Sequence, residues 1–220
     1  MQKYKTIISM VLIAITVTIF FLLSHNNTQK PKVVYKVVYK DKVIYKEPKN
    51  SLVSITVDDL RYDLKNNYTH ISKKNREVII NTILKVSEKY GISPIVLYSL
   101  IHVESSFRWW VLHKSVKING KRERAIGLGG IVWSWWGDKL LKNKIVETKA
   151  DLFNISNNIE AIGYILNSYY KMPLKKGTSN KVISSLRRYF GGNYIVYTNK
   201  IQNKISKIVL HKTLQYRGVK

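Results

Sequence analysis

The 220-residue sequence contains no cysteine, and its 13 acidic residues stand against 38 lysines and arginines. The absence of cysteine excludes disulfides, thiolate metal sites and a thiol nucleophile. The five histidines show no metalloenzyme spacing, so no metal site is predicted. The shortage of acids leaves a formal charge of +25. Such a charge predicts an anionic partner, which could be nucleic acid, acidic lipid or a polymer of the cell envelope.

One long apolar run is present near the N-terminus. It extends from Thr6 to Ser24 without a charged residue, and as a helix it would reach about 28 Å, enough to cross the hydrocarbon core of a bilayer. The sequence therefore predicts a membrane anchor over residues 1–25. A cleaved signal peptide is the alternative, but its apolar core is usually shorter and ends in small residues.

The segment after the anchor is basic and repetitive. Residues 33–46 contain three copies of a unit with two β-branched residues, a tyrosine and a lysine. Such residues favour extended backbone, whereas a four-residue period also suits a helix, so the conformation stays open. From Pro48 onward the chain is polar without a clear period. We therefore predict a stalk over residues 26–71 and a globular domain over residues 72–220.

Periodic apolar residues predict helices along most of that domain. The first runs from Arg76 to Tyr90 and ends at Gly91, a natural terminator. Ser93 would cap the next helix, with Pro94 at its first position.

Further helices follow toward the C-terminus. Asn157 and Glu160 have the spacing of a capping box. A shorter helix is expected around residues 182–190 and a last one over residues 194–208. A small hairpin is possible around residues 117–124, with Asn119-Gly120 as its type I′ turn. The predicted fold class is all-α.

Glu104 is the strongest candidate for a chemical role. It closes the helix that starts after Ser93, and Leu97, Leu100 and Ile101 precede it at spacings that place them on its face. Burial raises the pKa of a carboxyl group, which can then act as a general acid near neutral pH. The alternative is a glutamate neutralised by a nearby lysine or arginine.

All five tryptophans follow Glu104 within a short span. Aromatic faces pack against the apolar faces of sugar rings, and the indole N–H can bond a hydroxyl. The cluster favours a sugar-binding groove with Trp133 among its contacts, although some of these rings could instead fill the core or rest on a membrane. The tryptophans are Trp109, Trp110, Trp133, Trp135 and Trp136.

Several motifs between about Arg76 and Ile208 resemble, in order and spacing, those of the lytic transglycosylase domain, a relative of goose-type lysozyme. They are Glu104-Ser105-Ser106-Phe107, Ala125-Ile126-Gly127-Leu128, Asn158-Ile159 with Ala161 and Leu166, and Tyr189 with Gly192 and Tyr197. The resemblance implies a lysozyme-like helical fold and cleavage of peptidoglycan without a cofactor. One glutamate would serve as acid and then as base, and a 1,6-anhydro-muramic acid end would form without consuming water.

The resemblance also implies roles for individual residues. Glu104 matches the family's catalytic glutamate, Ser105 the serine that helps to hold substrate, and Tyr189 the tyrosine beside the acid. Gly127 and Leu128 match a pair at the cleft floor, and Tyr197 belongs to the same set of substrate-binding candidates.

Two positions depart from the family pattern. Gly130 stands where the family usually has glutamine, and Phe190 stands where it usually has asparagine. Both changes remove polar groups that would touch sugar.

A peptidoglycan substrate would place the domain outside the cytoplasmic membrane, facing the periplasm or cell wall on a single-pass anchor. A positive-inside count opposes this orientation, because lysines are more numerous after the anchor than before it.

Other functions remain open at the level of sequence. A second acid that positions water would make the chain a hydrolytic muramidase, and loss of activity would leave a non-catalytic wall-binding protein. A nucleic-acid partner is not expected, because the basic residues are scattered and form no recognised binding motif.

Overall fold

The computed structural model describes residues 55–118, 120–174, 176, 180–191 and 194–216. All of them belong to the same structural unit of the chain. The predicted membrane anchor and most of the predicted stalk lie outside the described residues. Within the described ranges, none of the helices combines the length and apolarity needed to cross a membrane.

Helices dominate the described part of the chain, which contains seven α-helices, a short 3-10 helix and a two-stranded sheet. The helical character agrees with the all-α prediction. The α-helices are α1 Val57–Asn67, α2 Lys73–Tyr90, α3 Pro94–Ser105, α4 Trp133–Lys142, α5 Ile155–Lys171, α6 Lys181–Phe190 and α7 Tyr194–Tyr216. The strands are β1 Leu112–Ile118 and β2 Lys121–Ile126, and the 3-10 helix is Lys149–Phe153.

Helix α3 carries Glu104 and lies at the centre of the core. Leu97, Tyr98, Leu100 and Ile101 are completely buried, and the helix packs on α2 and α7. Helix α5 packs on α2 and on α6, which in turn contacts α7. The end of α3 is therefore surrounded by structure from distant parts of the sequence.

Both predicted boundaries around α3 are confirmed. Gly91 ends α2 in the left-handed region, with φ of +66°, where glycine carries no steric penalty. Ser93 occupies the N-cap position of α3 and Pro94 its first turn, but the Ser93 side chain makes no capping hydrogen bond. Proline at the first helical position thus marks this helix start.

Helix α1 is a finding that the sequence did not predict. Thr56 caps it, and Asp59 completes a reciprocal capping box. Leu60 and Leu64 are buried in the same core as the later helices. The packed helical structure therefore starts before Ser72, where we expected the domain to begin.

The predicted capping box of Asn157 and Glu160 is wrong. Helix α5 starts at Ile155, and the side chain of Asn154 accepts hydrogen bonds from the first-turn backbone. Glu160 lies inside the helix and instead accepts hydrogen bonds from Lys89 and from the Tyr90 hydroxyl. The glutamate links α5 to α2 because those two helices approach closely.

The predicted hairpin is present and is longer than expected. Strands β1 and β2 are antiparallel, with Val116 opposite Glu123, and the pairing is irregular between Leu112 and Ser115. Arg124 donates hydrogen bonds to two backbone carbonyls in this irregular stretch. Such irregularities bend a strand and change the direction of its side chains.

Candidate active site

Glu104 lies in the last turn of α3 and is half-buried. Burial raises the pKa of its carboxyl group to about 7, and the charge of Lys200 opposes this rise only in part. The carboxyl group can therefore hold a proton near neutral pH. This agrees with the sequence-based expectation of an acid held among apolar side chains.

The charge of Glu104 affects the pKa values of two nearby tyrosines. Burial raises the pKa of Tyr189 well above its ordinary value, and the carboxylate of Glu104 raises it further. The same two causes raise the pKa of Tyr197. The structure thus brings three of the predicted site residues together, from α3, α6 and α7.

Phe190 supports this group of side chains. Its ring stacks on Tyr197 with a centroid distance of 4.5 Å and an interplanar angle of 9°, and it meets Tyr189 edge-on. Phe190, where the resembled motif has asparagine, therefore makes an aromatic contact and offers no polar group. That contact fixes the position of Tyr197 beside the acid.

A tight loop at residues 127–130 passes in front of Glu104. Ile126 and Ile131 pair across its base. The buried side chain of Asn158 accepts a hydrogen bond from the Gly129 amide at 2.9 Å and donates to the carbonyl of Leu152 at 2.6 Å. The Tyr189 hydroxyl donates to the Gly129 carbonyl at 2.8 Å. Helices α5 and α6 thus hold the loop from one side.

Gly130 is the residue of this loop that touches the acid. A Cβ atom at this position would lie 2.8 Å from Oε2 of Glu104 and 3.4 Å from Cε1 of His113, and its φ is +59°. A side chain there would displace the carboxyl group. The absence of a side chain at this position, where the resembled motif has glutamine, therefore permits the close approach of Glu104 to the loop backbone.

His113 is a site residue that sequence reasoning missed. It lies in the irregular stretch of β1, and its Nε2 atom is 2.8 Å from the carbonyl oxygen of Gly127. The ring borders the same side of Gly130 as Glu104. No local sequence signal marks this residue, because its position depends on the strand irregularity and on the loop.

The remaining predicted site residues have other environments. Ser105 is buried, and its hydroxyl donates to the carbonyl of Ile101 in its own helix. Leu128 is completely buried in the core. Gly127 is buried and allows the close approach of Asn158, whose Nδ2 would lie 2.2 Å from an added Cβ. These three residues are buried beneath the site and offer no polar side-chain group to a substrate.

The tryptophans divide between the core and the surface. Trp136 is buried against Tyr169, whereas Trp110 and Trp135 are about half exposed. Trp133 is partly buried: it packs against the hydrophobic core, and its ring lies on Gly137 of the same helix. The five rings therefore have different environments, and a sugar groove that includes Trp133 stays a prediction.

Trp109 borders a groove of about 270 Å³ together with Phe153, at the start of α5. Glu104 is not among the residues that line it. This groove is separate from the residues that surround the acid.

Two of the other described carboxylates have partners away from Glu104. Glu123 accepts hydrogen bonds from Ser134 and from Lys149, and Glu160 binds Tyr90 as described above. No other described carboxylate contributes to the raised pKa of Glu104. Among the described residues, moreover, no group of histidines and acids could hold a metal ion.

A second polar cluster lies on the opposite side of α3. Lys204 forms a buried ion pair with Asp63 at 2.6 Å, and the Tyr98 hydroxyl donates to the same carboxylate. His102 bonds Tyr68 through Nδ1, and burial with the charge of Lys204 lowers the His102 pKa to about 4. A cavity of about 530 Å³ adjoins this cluster. These contacts join α1, α3 and α7.

Comparison of the chain with protein-family models, with curated proteins and with solved structures found no match.

The geometry around Glu104 fits general acid chemistry. A protonated carboxyl group can donate to a leaving oxygen, and a carboxyl group whose pKa is about 7 exchanges protons readily at neutral pH. The neighbouring Tyr197 hydroxyl and the cationic Lys200 can bind a polar or anionic substrate. Such a site is suited to bond cleavage that requires protonation of the departing oxygen.

Proposed function

We propose that this protein is a lytic transglycosylase that cleaves the bond between muramic acid and glucosamine residues in peptidoglycan. The observation that carries the proposal is the half-buried Glu104, whose pKa is raised to about 7. Two tyrosines lie near it, and no other carboxylate among the described residues contributes to its pKa. The order of the motifs, which resembles that of the lytic transglycosylase domain, supports the same activity. The finer assignment of a lysozyme-like fold is part of this proposal.

A single acid favours the lytic reaction over hydrolysis. Hydrolytic glycosidases commonly need a second carboxylate as base or nucleophile. In the lytic reaction Glu104 protonates the glycosidic oxygen, whose bond to the anomeric carbon of muramic acid breaks. The 6-hydroxyl of the same muramic acid then bonds to that carbon, and its proton returns to the Glu104 carboxylate. The 1,6-anhydro ring closes and no water is consumed. The reaction needs no cofactor.

The location of the protein is part of the same proposal. Peptidoglycan is external to the cytoplasmic membrane, so the domain would face the periplasm or cell wall on its N-terminal anchor. The excess of 38 basic over 13 acidic residues would attract the domain to an anionic envelope.

The test is a digest of purified peptidoglycan by the full-length protein and by its Glu104→Gln variant, followed by mass spectrometry. We expect products lighter by one water than hydrolytic muropeptides, and none from the variant. A Glu160→Gln variant serves as the matched control, because this carboxylate lies between α2 and α5 and away from the site. Products of hydrolytic mass would identify a muramidase instead. Binding without cleavage by folded protein would identify a wall-binding protein.

A further inference from the structure

Lys200 is an exposed cation on α7 that lies beside the rings near the acid. Its Nζ atom is 5.6 Å from the centroid of the Tyr197 ring, and that ring stacks on Phe190. Phe190 meets Tyr189 edge-on, and the Tyr189 hydroxyl holds the loop in front of Glu104. Ring contacts therefore connect the lysine to the loop that faces the acid.

The ammonium group of Lys200 has no carboxylate partner in the described part of the chain. None of the ion pairs formed there includes this lysine. By contrast, Lys204 and Lys212 of the same helix are buried against the carboxylates of Asp63 and Asp59. Those two lysines stabilise the packing of α1 on α7, whereas Lys200 leaves a solvent-exposed charge beside the site.

The charge of Lys200 reaches the acid. Among the described residues, Lys200 is the one charged group that shifts the pKa of Glu104, and it lowers that pKa against the effect of burial. The other titratable groups near the carboxyl group are the phenols of Tyr189 and Tyr197 and the imidazole of His113. An anion bound at Lys200 would offset its charge and favour the protonated carboxyl group.

The substrate of the proposed reaction carries carboxylates close to the bond that is cleaved. Muramic acid bears a lactyl group, whose carboxyl group is either free or joined to a peptide with carboxylates of its own. A lysine ammonium is a compact charge with three donors on a flexible stem, so it can follow a carboxylate whose position varies. Because Lys200 is exposed, such a pair forms without the cost of burying two charges.

We propose that Lys200 determines substrate specificity by binding a carboxylate of the substituent on muramic acid, while Glu104 acts on the adjoining glycosidic bond. This inference rests on the proposed function and deepens it, because it names the part of the substrate that the site recognises. The bound carboxylate also offsets the charge that opposes protonation of Glu104. A substrate with this group therefore favours the form of the acid that can donate its proton.

The experiment measures KM and kcat for release of anhydromuropeptides by the full-length protein on two substrates. One is native peptidoglycan, and the other is peptidoglycan whose carboxylates have been converted to amides with carbodiimide and ammonia. At a pH below the pKa of Glu104, we expect Lys200→Met to raise KM on the native substrate about two- to fivefold, the range of an exposed ion pair, with kcat unchanged. On the amidated substrate the variant and the wild type should have equal KM values. Lys200→Arg keeps the charge and should resemble the wild type on both substrates.

Lys207→Met is the matched control, because Lys207 is an exposed lysine of the same helix that borders the cavity near His102. It lowers the net charge of the protein equally and should keep the wild-type KM on both substrates. Lys200→Met should also move the alkaline limit of activity to higher pH, because loss of the positive charge raises the pKa of Glu104 further. Lys207→Met should leave that limit unchanged.

A third substrate distinguishes the two sources of the carboxylate. Glycan strands whose peptides have been removed by an amidase keep the lactyl carboxylate alone. A KM difference between Lys200→Met and the wild type that persists on these strands would identify the lactyl carboxylate as the ligand. A difference that disappears would identify a carboxylate of the peptide.

Several outcomes would overturn the inference. Equal KM values of Lys200→Met and the wild type on native peptidoglycan would do so, as would a rise in KM that amidation of the substrate does not remove. The same rise in Lys207→Met would attribute the effect to net charge and not to a binding site. In each of these cases, cleavage by the wild type that is lost in Glu104→Gln would leave the proposed function intact. Activity retained by Glu104→Gln would contradict the proposed function itself.

Discussion

Substitution of Gly130 by alanine tests directly whether the loop determines the position of the acid. The added Cβ would lie 2.8 Å from Oε2 of Glu104, which is shorter than an ordinary contact between carbon and oxygen. The carboxyl group must therefore move by several tenths of an ångström or more. Because the displaced atoms are the end of a flexible side chain, this movement should cost little stability while it alters the site.

The expected stability loss follows from the backbone. Gly130 has φ of +59°, and an alanine in the left-handed region costs about 1–2 kcal/mol. The lower entropy of the unfolded chain offsets about 0.4–1 kcal/mol of this. We therefore expect the free energy of unfolding to fall by about 1 kcal/mol. Misplacement of a catalytic group by about 1 Å can cost about 10²-fold in rate, so we expect activity to fall by roughly 10- to 100-fold.

Gly91→Ala is the matched control for this experiment. Gly91 has φ of +66°, and an added Cβ there would meet nothing within 4 Å. It should lose a similar amount of stability in urea unfolding and keep wild-type activity on peptidoglycan. Equal activity of the two alanine variants would refute the reasoning, because it would mean that the contact between Gly130 and Glu104 does not determine the position of the carboxyl group.

Three further predictions concern the acid and the core. Burial raises the Glu104 pKa from 4.5 to about 7, so the folded state binds the proton more tightly than the unfolded state does. The free energy of unfolding should therefore fall as pH rises through this range, and this trend should vanish in Glu104→Gln. Activity should decline above about pH 7, because the acid then loses its proton. Lys204→Met leaves a buried carboxylate without its cation, so the free energy of unfolding measured in urea should fall by about 3–5 kcal/mol. Arg61→Met removes partly exposed ion pairs and should lower it by less than about 1 kcal/mol. Trp136→Ala should cost about 3–5 kcal/mol, while the exposed Trp135→Ala should change stability by less than about 0.5 kcal/mol.

The helices with regular apolar spacing and clear end signals were predictable from the sequence. Helix α2 ends at Gly91 as expected, since a glycine after a periodic segment is a strong local signal. Helix α1 was missed because most of its residues are polar, and only Val57, Leu60 and Leu64 are buried apolar positions. Its burial depends on contacts with α2 and α7, which no local pattern contains.

The start of α5 illustrates a different limit. The spacing of Asn157 and Glu160 fits a capping box, and the chain also offers Asn154 three residues earlier. The structure uses Asn154, because Glu160 is engaged in contacts with α2. A tertiary contact thus decides between two local signals of similar strength.

For the candidate site, the sequence predicted the burial of Glu104 and its proximity to Tyr189, but neither the proximity of Tyr197 nor the contribution of the hairpin. Apolar spacing on α3 was sufficient for the first, and the family resemblance supplied the second. His113 could not be predicted, because its direction depends on the irregular pairing between Leu112 and Ser115 and on the loop carbonyl that it bonds. Side chains that enter a site through a strand irregularity leave no periodic pattern.

The two departures from the family pattern become related once the structure is considered. Gly130 lets the loop backbone approach Oε2 of Glu104, and Phe190 stacks on Tyr197, whose pKa the same carboxylate raises. Each change removes a polar side chain and adds close contact around the acid. Fewer polar neighbours mean weaker solvation of the carboxylate, which favours its protonated form. Both residues therefore favour the protonated state of Glu104, which the proposed role as general acid requires.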